Sequence, residues 1–408
     1  MLIKNIRLVD KEKDFFTDVL IKDNKIVKLG ESIESEDEEV IINGNELVLM
    51  PSFIDLHAHF RDPGYVYKED ILSGSRAAVR GGFTYVNLMA NTNPICSDEK
   101  IVSYVLRKAK NIGLIDVNQT LSITENFDGV SLNHLDDISK AIKVISDDGK
   151  GIKSSRVMYE ALIKAKEKDL VVLVHAEDEE ISKIDYRLAE NLETVRDIYI
   201  NKKINAKLHL THVSTKEAIE EIERAKGKND NVTCDVTPHH IALWDNDYRV
   251  NPPIREKEDV ERIKKAIKDG VVDAIATDHA PHSIEDKLKN TPGMVGLETA
   301  FKVAYTTLVK SKCIDLKRLS SLLTYGPARI LNLEYGILKS GSKANFVIVD
   351  LGKESVVNSN DFYSKSKNTA FDGMKFYGEI LMTVKDGEIK YIDDAFKKER
   401  FCDNWEAF

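Results

Sequence analysis

The chain has 408 residues, 42% of them hydrophobic, so it can bury a large core and exceeds what one core usually organises. Its net charge of −9 argues against a nucleic-acid partner, because nucleic acids usually bind to surfaces where lysine and arginine are clustered. The four cysteines form no Cys-x-x-Cys pair, and no apolar run has the length of a signal-peptide core or a membrane span. We therefore expect a cytoplasmic protein with reduced thiols, no membrane association, one large domain and one smaller domain.

Both ends of the chain are predicted to contribute short strands to one small β domain. The N-terminal part, residues 1–50, has strand patterns at 2–9, 18–21, 26–29 and 39–42. The C-terminal part, residues 335–408, has strand patterns at 344–349, 379–384 and 388–392, followed by a tail from Lys397 that we leave unassigned. These two parts are expected to pair into a single sheet.

Between them, residues 51–334 alternate apolar runs with helical segments, which is typical of βα units and a parallel sheet. Helix signals include residues 98–111, which end before Gly113, and the capping-box spacing from Ser214 to Glu217. The expected strands are 52–56, 84–88, 116–121, 144–146, 171–174, 207–211, 232–236 and 273–276. Eight such units predict an α/β fold, a (β/α)₈ TIM-like barrel, whose chemistry lies at the carboxyl ends of the strands.

The first of these strands ends in two histidines, His57 and His59, one residue apart. Side chains at positions i and i+2 of a strand point to the same side, so both imidazoles can face one point beyond the strand. Taken alone, the pattern also fits two surface histidines in a turn. The rest of the barrel favours the metal-site interpretation.

Later strands run into further candidate ligands, namely Asp148, His175, His212 and Asp278. Each alone has an ordinary explanation, such as a buried histidine bonded to a carbonyl or an aspartate that caps a helix. Together they fall on the one barrel face where sites are built, which predicts a metal centre. Imidazoles and carboxylates suit Zn²⁺ or a similar ion, and such ions activate water for hydrolysis at neutral pH.

In this order of ligands the chain resembles the metal-dependent amidohydrolase superfamily, and more closely the dihydroorotases whose metal site contains an aspartate. The resemblance covers nearly the whole chain. Its most specific motifs are DLHAHFRDPG (55–64), MANTNP (89–94), SDDG (146–149), NPPIR (251–255) and ATDHAPH (276–282).

The resemblance implies one or two Zn²⁺ ions per subunit. His57, His59 and Asp278 would hold one metal, His175 and His212 would hold the other, and Asp148 would bridge them. Asp278 would also move the proton. The resemblance further implies a carboxylated cyclic imide as substrate, with these expected contacts: Arg61, Asn91, Asn251, His282, Pro292 and Gly293. Residues 283–291, which are polar, are expected to form a mobile loop that acts as a lid.

Several alternatives stay open at this point. Arg61 could instead form a surface salt bridge with Asp62 or Glu69. Asp147 could replace Asp148 as the bridge, and a CO₂-modified lysine would have to be Lys143 or Lys153, both poorly placed near strand four. Four further histidines have less certain roles: His239 and His240, for which packing or orienting is favoured over ligation, and His279 and His134, which are unassigned.

The function that the resemblance implies is the reversible hydrolysis of dihydroorotate to N-carbamoyl-aspartate in pyrimidine synthesis. The enzymatic alternatives are a hydantoinase, a dihydropyrimidinase or an allantoinase, and Arg61 argues against the first two because their rings lack a carboxylate. A third alternative is a non-catalytic scaffold for aspartate transcarbamoylase, which would have no physical need for a full ligand set. A homodimer and a transcarbamoylase complex are possible assemblies.

Overall fold

The computed structural model describes residues 1–34, 40–228 and 231–400. Its strands, in chain order, are β1 (Leu2–Val9), β2 (Asp14–Lys22), β3 (Lys25–Gly30), β4 (Ile41–Asn43), β5 (Val48–Pro51), β6 (Phe53–Ala58), β7 (Phe83–Leu88), β8 (Asp116–Gln119), β9 (Val144–Ile145), β10 (Val171–Val174), β11 (Lys207–Leu210), β12 (Val232–Val236), β13 (Ala274–Ile275), β14 (Phe346–Val356), β15 (Lys375–Lys385) and β16 (Glu388–Ile392).

The helices follow the barrel strands and flank the small sheet. They are α1 (Ile71–Arg80), α2 (Glu99–Ile112), α3 (Ser155–Glu167), α4 (Tyr186–Ile204), α5 (Lys216–Lys226), α6 (Pro238–Ala242), α7 (Lys257–Lys268), α8 (Ile284–Leu288), α9 (Ala300–Ala304), α10 (Leu316–Leu323), α11 (Tyr325–Ile330) and α12 (Asp394–Arg400). A π-helical turn, Tyr305–Lys310, continues α9. Across the described ranges, no helix is both long enough and apolar enough to cross a bilayer.

Both chain ends build one sheet, in the order β16-β15-β14-β5-β1-β2-β3, with β4 alongside β1. The two ends meet where β5 pairs antiparallel with β14, with Leu49 opposite Ile348. One face of the sheet buries an apolar cluster that includes Ile6, Leu8 and Phe346. The strand expected at 39–42 appears as β4, and residue 39 and the tail from residue 401 lie outside the described residues.

Eight parallel strands within the described ranges, β6 to β13, form the predicted barrel. They make two sheets, β6-β7-β8 and β9 to β13. One isolated β-bridge joins the sheets at each of their two junctions: Ala58 pairs with His279, and Leu121 pairs with Ile145. The backbone N–H of His59 also donates to the His279 carbonyl at 2.9 Å. The expectation of a (β/α)₈ barrel is therefore confirmed.

Alternation along the barrel strands separates two layers of core. In β10, Val171 and Leu173 pack inside the barrel, while Val172 and Val174 pack against the surrounding helices. This is the period of two that a strand buried on both faces requires. The helix signals for α2 hold, since Asp98 caps it and Gly113 ends it with φ 68°. The capping box expected from Ser214 to Glu217 is wrong by one residue: Thr215 caps α5 by accepting the N–H of Ala218, and the Ser214 hydroxyl donates to Glu190 instead.

A buried carboxylate helps to close the barrel at the site end. Asp55 of β6 accepts hydrogen bonds from the backbone N–H of Thr277 at 2.9 Å and from its hydroxyl at 2.5 Å. It also accepts the N–H of His57 at 3.2 Å. Burial raises the pKa of Asp55 to about 6, against the effect of these donors. The contact fixes the ends of β6 and β13, which carry candidate ligands, next to each other.

Candidate metal centre

The candidate ligands converge at the carboxyl end of the barrel, and all of them are buried. Two come from the end of β6, and the others follow β9, β10, β11 and β13 directly or within a few residues. They are His57, His59, Asp148, His175, His212 and Asp278.

Asp148 lies at the centre of this cluster. Its carboxylate oxygens are 3.2 Å from His57 Nε2, 3.5 Å from His59 Nε2, and 3.6 Å from both His175 Nδ1 and His212 Nε2. One carboxylate therefore faces two pairs of imidazoles, as a bridging ligand would.

The cluster divides into two groups around that carboxylate. In the first, His57 Nε2 and His59 Nε2 are 3.2 Å apart, and Asp278 Oδ1 lies 3.2 Å from the His59 nitrogen. In the second, His175 Nδ1 and His212 Nε2 are 2.9 Å apart. Atoms held about 2.0–2.1 Å from a tetrahedral Zn²⁺ lie roughly 3.3 Å from each other. Both groups therefore have the spacing of ligands that share an ion.

The electrostatics of the cluster favour added positive charge. Burial alone would lower the pKa of His57, yet the carboxylates of Asp148 and Asp278 raise it to about 9. Burial likewise opposes the charge on His175, whose pKa Asp148 and Glu177 raise to about 10. Asp148 Oδ1 is buried without a hydrogen-bond partner among the described residues. A divalent cation fits this donor set, because it would supply the charge that the carboxylates otherwise draw from protons.

Backbone strain accompanies the site. Arg61, His212 and Asp278 adopt left-handed φ angles of 59°, 39° and 46°. Such angles are uncommon for residues other than glycine and persist where the surroundings impose them. At His212 the constraint is visible, since its backbone N–H donates to the buried carboxylate of Asp235 at 2.6 Å.

Side chains outside the cluster orient the imidazoles. His59 Nδ1 donates to Asn91 Oδ1 at 2.8 Å, and His175 Nε2 donates to Glu177 Oε2 at 2.8 Å. Asn251 Nδ2 donates to the same oxygen of Glu177 at 2.7 Å. Such contacts fix the ring orientation of metal-binding histidines. Glu177 was missed in the sequence, although its position two residues after His175 was a usable signal. Asn91 and Asn251, expected at the substrate, here contact His59 and Glu177, respectively.

Arg61 and His282 lie together beside the cluster. Arg61 Nη2 is 3.3 Å from His282 Nε2, and Arg61 Nε is buried without a partner among the described residues. Lys68 Nζ lies 3.3 Å from His282 Nδ1. Burial, followed by the charges of Arg61 and Lys68, lowers the pKa of His282 to about 3. His282 is therefore neutral, and Lys68 also lies 3.2 Å from Asp286 Oδ2, so Arg61 is the positive charge here that suits an anionic group.

The salt-bridge alternative for Arg61 does not match the structure. Asp62 instead accepts Lys108 Nζ at 2.6 Å and the Tyr104 hydroxyl at 3.0 Å. Glu69 is buried and lies 3.3 Å from His279 Nε2. Arg61 is thus left facing the site.

The segment 283–291 differs from the open loop that we expected. It contains the short helix α8, with Ser283 and Asp286 in a reciprocal cap. Lys287 Nζ donates to the carbonyls of Arg249 and Gly293 at 3.0 Å each. Local polar residues there form a capped turn of helix as readily as a loop.

The backbone at Pro292 and Gly293 was expected to close over the substrate, but at Gly293 it is already bonded. The Gly293 N–H donates to the Arg249 carbonyl at 3.0 Å, and its own carbonyl accepts from Asn368 at 3.1 Å. Its φ is 128°, and an added Cβ would lie 2.8 Å from the Cβ of Ala280. Gly293 therefore allows the backbone to pack closely beside His282.

Three of the four histidines that had no assigned ligand role make structural hydrogen bonds. His240 Nε2 donates to the Pro252 carbonyl at 3.1 Å, which agrees with the packing role favoured for it. His279 Nδ1 accepts the Gly296 N–H at 3.1 Å. His134 Nε2 donates to the Ser122 carbonyl at 2.9 Å. His239 is buried, with Nε2 lacking a partner among the described residues.

Neither alternative bridge reaches the cluster. Asp147 accepts the backbone N–H groups of Ile123 at 2.7 Å and Thr124 at 3.0 Å, so its carboxylate holds a neighbouring turn. Lys143 precedes β9 at the opposite end of the barrel, and Lys153 pairs with Glu179 at 2.8 Å on the surface.

The comparisons with known proteins agree with this geometry. The sequence profile of the amidohydrolase family matches residues 48–390. The chain belongs to the amidohydrolase family. Among curated amidohydrolases it is 52% identical to a dihydroorotase from Clostridium botulinum, over 96% of this chain and 99% of the relative. It is 37% identical to a dihydroorotase from Clostridioides difficile, over 96% of this chain and 99% of that protein.

Solved structures show the same amidohydrolase fold. The L-hydantoinase (dihydropyrimidinase) from Arthrobacter aurescens superimposes with a TM-score of 0.87 at 23% identity, covering 95% of both chains. The dihydropyrimidinase from Brevibacillus agri gives 0.86 at 22% identity, covering 95% of this chain and 94% of its own. At such identities the likeness concerns the fold.

Proposed function

We propose that this amidohydrolase is a dihydroorotase, which interconverts dihydroorotate and N-carbamoyl-L-aspartate in pyrimidine synthesis. The identity to dihydroorotases over nearly the full length supports the reaction class. The observation that carries the substrate is the Arg61 guanidinium beside the ligand cluster, which contacts a neutral His282 and has no carboxylate paired with it among the described residues. Dihydroorotate differs from a plain dihydropyrimidine by a carboxylate, and a guanidinium is the group best suited to bind it.

The metal proposed for this site is Zn²⁺, one or two ions per subunit. His57, His59 and Asp278 would hold the first, His175 and His212 the second, with Asp148 between them. The preponderance of imidazole favours zinc over magnesium or calcium, which prefer oxygen ligands. When bound, the metal supplies Lewis acidity and lowers the pKa of water.

Asp278 is proposed to carry the proton. In hydrolysis the oxygen of water bonds to the ring carbonyl carbon, and the carbon–nitrogen bond of the ring amide breaks. Asp278 would take the proton from the attacking water and give it to the leaving nitrogen, and would reverse both transfers in ring closure. Although burial opposes its charge, the hydrogen bond from His59 and the charge of His57 keep the pKa of Asp278 below its ordinary range, so the group is ionised at neutral pH.

Arg61 would bind the substrate carboxylate through its two-pronged guanidinium. Asn91 and Asn251 remain candidates for neutral contacts, since Asn91 uses its oxygen on His59 and keeps its Nδ2 group for a ligand. His282 and Gly293 would pack against the ring. Cytoplasmic location and association with aspartate transcarbamoylase stay predictions.

The deciding experiment compares two substrates that differ in one group. The purified protein, with its metal content measured, would be assayed with dihydroorotate and with dihydrouracil, the same ring without the carboxylate. We expect hydrolysis of dihydroorotate to be faster in kcat/KM by at least two orders of magnitude, and N-carbamoyl-aspartate to be cyclised. Preference for dihydrouracil or hydantoin would instead identify a hydantoinase-type enzyme. Metal-loaded protein inactive on all of these would support the scaffold alternative.

A further inference from the structure

Helix α4 packs on the protein with a polar side. The residues that it buries include two glutamates, an aspartate and an asparagine, namely Glu190, Glu193, Asp197 and Asn201. A helix on a barrel normally buries its apolar stripe and exposes its polar one. Burying a carboxyl group is unfavourable unless hydrogen bonds compensate, so these side chains require specific partners.

The carboxyl group of Glu193 joins two of the loops that carry ligands. Its Oε1 accepts the backbone N–H of Ile152 at 2.9 Å, and its Oε2 accepts the backbone N–H of Glu177 at 3.0 Å. Ile152 follows Asp148 by four residues, and Glu177 follows His175 by two. One side chain of α4 therefore connects the loop of the central carboxylate to the loop of an imidazole ligand.

Arg196 completes the contact between α4 and Ile152. Its Nη1 donates to the Ile152 carbonyl at 2.6 Å, and its Nη2 donates to Glu193 Oε1 at 2.6 Å. Its Nε donates to Asp197 at 2.8 Å, so the guanidinium is itself held in place. Both backbone polar groups of Ile152 are thus hydrogen-bonded to α4.

The two loops approach each other closely at Gly151. A Cβ added there would lie 2.0 Å from the Glu177 carbonyl oxygen and 2.2 Å from Glu193 Oε2. No side chain fits at such distances, so the contact requires glycine at this position. The loop after β9, the loop after β10 and the Glu193 carboxyl group are therefore packed against one another.

Glu190, three residues earlier on α4, makes a similar contact with the loop after β11. It accepts the backbone N–H groups of Ser214 at 2.8 Å and Thr215 at 3.1 Å, just after His212. It also accepts a hydrogen bond from Arg255 Nη2 at 3.0 Å. The loops after β9, β10 and β11 are thus all hydrogen-bonded to one helix.

The other ligand group has a different support. Helix α4 packs mainly on α3, α5 and β11. The strand ends that carry His57 and Asp278 are instead joined by Asp55, which accepts the N–H groups of His57 and Thr277. The two ligand groups therefore depend on separate parts of the fold.

We propose that Glu193 is a positioning residue for the second ligand group. It fixes the distance between the carboxylate of Asp148 and the imidazole of His175, which would share an ion, and Glu190 does the same for the loop of His212. Replacing a residue that orients metal ligands typically lowers metal affinity by about 10–100-fold. This inference rests on the metal centre of the proposed function.

The test is the affinity of Glu193→Ala for Zn²⁺, measured on the full chain by competition with a chelator. We expect the affinity to fall roughly tenfold or more, and Glu193→Gln, which keeps one acceptor oxygen, to lie between Glu193→Ala and the wild type. The free energy of unfolding of the metal-free protein, measured in urea, is determined alongside.

Asn201→Ala is the matched control for stability. Asn201 is also buried on α4, but it bonds the backbone N–H and carbonyl of Ala206, just before β11 and away from the ligand loops. Its replacement should lower the free energy of unfolding and leave the Zn²⁺ affinity at the wild-type value. An equal loss of affinity in Asn201→Ala and Glu193→Ala would show that Glu193 acts only through stability.

Two backgrounds with an incomplete ligand group show which metal position is affected. In His57→Ala, adding Glu193→Ala should lower the remaining affinity roughly tenfold or more. In His175→Ala the second group is already incomplete, so the same addition should change the affinity by less than about threefold, because effects that act through one group are not additive. Equal losses in both backgrounds, or wild-type affinity in Glu193→Ala, would overturn the positioning role. A wild type that binds no Zn²⁺ would instead refute the metal centre, and this inference with it.

Discussion

Arg61 is a half-buried cation whose guanidinium contacts His282. In Arg61→Lys the charge remains but the planar fork is lost, so one of two hydrogen bonds to a carboxylate disappears. A hydrogen bond to a charged group is worth about 1.5–3 kcal/mol, so KM for dihydroorotate should rise roughly tenfold or more. Steady-state kinetics checks this, with metal content measured alongside and expected to be unchanged. An unaltered KM would remove Arg61 from the substrate site.

Asp148 faces both pairs of imidazoles, so its removal should affect both metal positions. Asp148→Ala should lose metal and turnover together, while wild-type apoprotein should recover activity with Zn²⁺ alone in buffer free of bicarbonate. Lys143→Ala is the control, because a CO₂-modified lysine would need that residue. Metal analysis and activity decide the matter. A requirement for bicarbonate, together with an inactive Lys143→Ala and an active Asp148→Ala, would show that the bridge is a modified lysine.

At this scale the sequence predicted residues whose position depends on local geometry. His57 and His59 follow from the period of two in a strand, and Asp148 and Asp278 follow from where strands end. Glu177 shows the limit: its hydrogen bond with Asn251 joins residues 74 apart in the chain. No local sequence pattern predicts this hydrogen bond, because it forms only once the barrel brings the two loops together.

Helix α8 is a short element held by polar contacts, with none of its own residues buried. A five-residue helix is marginal alone, and both Ile284 and Leu288 are largely exposed. Lys68 Nζ lies 3.2 Å from Asp286 Oδ2 and ties α8 to the loop after β6, next to His282. We therefore expect α8 to open and close next to Arg61 and His282.

We predict that opening of α8 governs cleavage by trypsin at Lys287 and Lys289. Asp286→Asn should speed cleavage by up to about fivefold, because it weakens the Lys68 contact, and a partly buried pair is worth up to about 1 kcal/mol. Glu285→Gln, which keeps that contact, serves as control. A substrate analogue should slow cleavage of the wild type, as followed by mass spectrometry. Equal rates with and without the analogue would argue against a lid.

Element boundaries were predicted unevenly, for a physical reason. Strands with long apolar runs, such as β7 and β12, appear where expected, whereas β9 and β13 shrink to two residues each. After β9 and β13 the chain leaves the strand direction sooner than expected and places Asp148 and Asp278 in the site. Side-chain contacts there replace some of the backbone hydrogen bonds between strands. The polar composition of 283–291 did not distinguish a loop from a capped helical turn.

Binding of metal to the metal-free protein should release protons, so the metal affinity of the whole protein should depend on pH. The raised pKa values of His57, about 9, and His175, about 10, mean that both are protonated at pH 7 in the metal-free protein. Metal requires the neutral rings, so apparent affinity should fall as pH falls and should keep rising up to roughly pH 9–10, beyond the usual histidine range. Competition titration against a chelator at several pH values measures this. An affinity that levels off near pH 6.5 would contradict it.

The contact between Asp55 and Thr277 joins the first and the last strand of the barrel. It therefore bears on the order in which the two ligand groups form during synthesis of the chain. His175 and His212 are 37 residues apart, so the second ligand pair can assemble while much of the chain is still unsynthesised. His59 and Asp278 are 219 residues apart and meet only when the last barrel strand docks on the first. Closing so long a loop is the slower event. A ribosome-bound chain that stops before β13 would thus have His175 and His212 but not Asp278. The ligand group of His57, His59 and Asp278 is therefore complete only after the whole barrel has been synthesised.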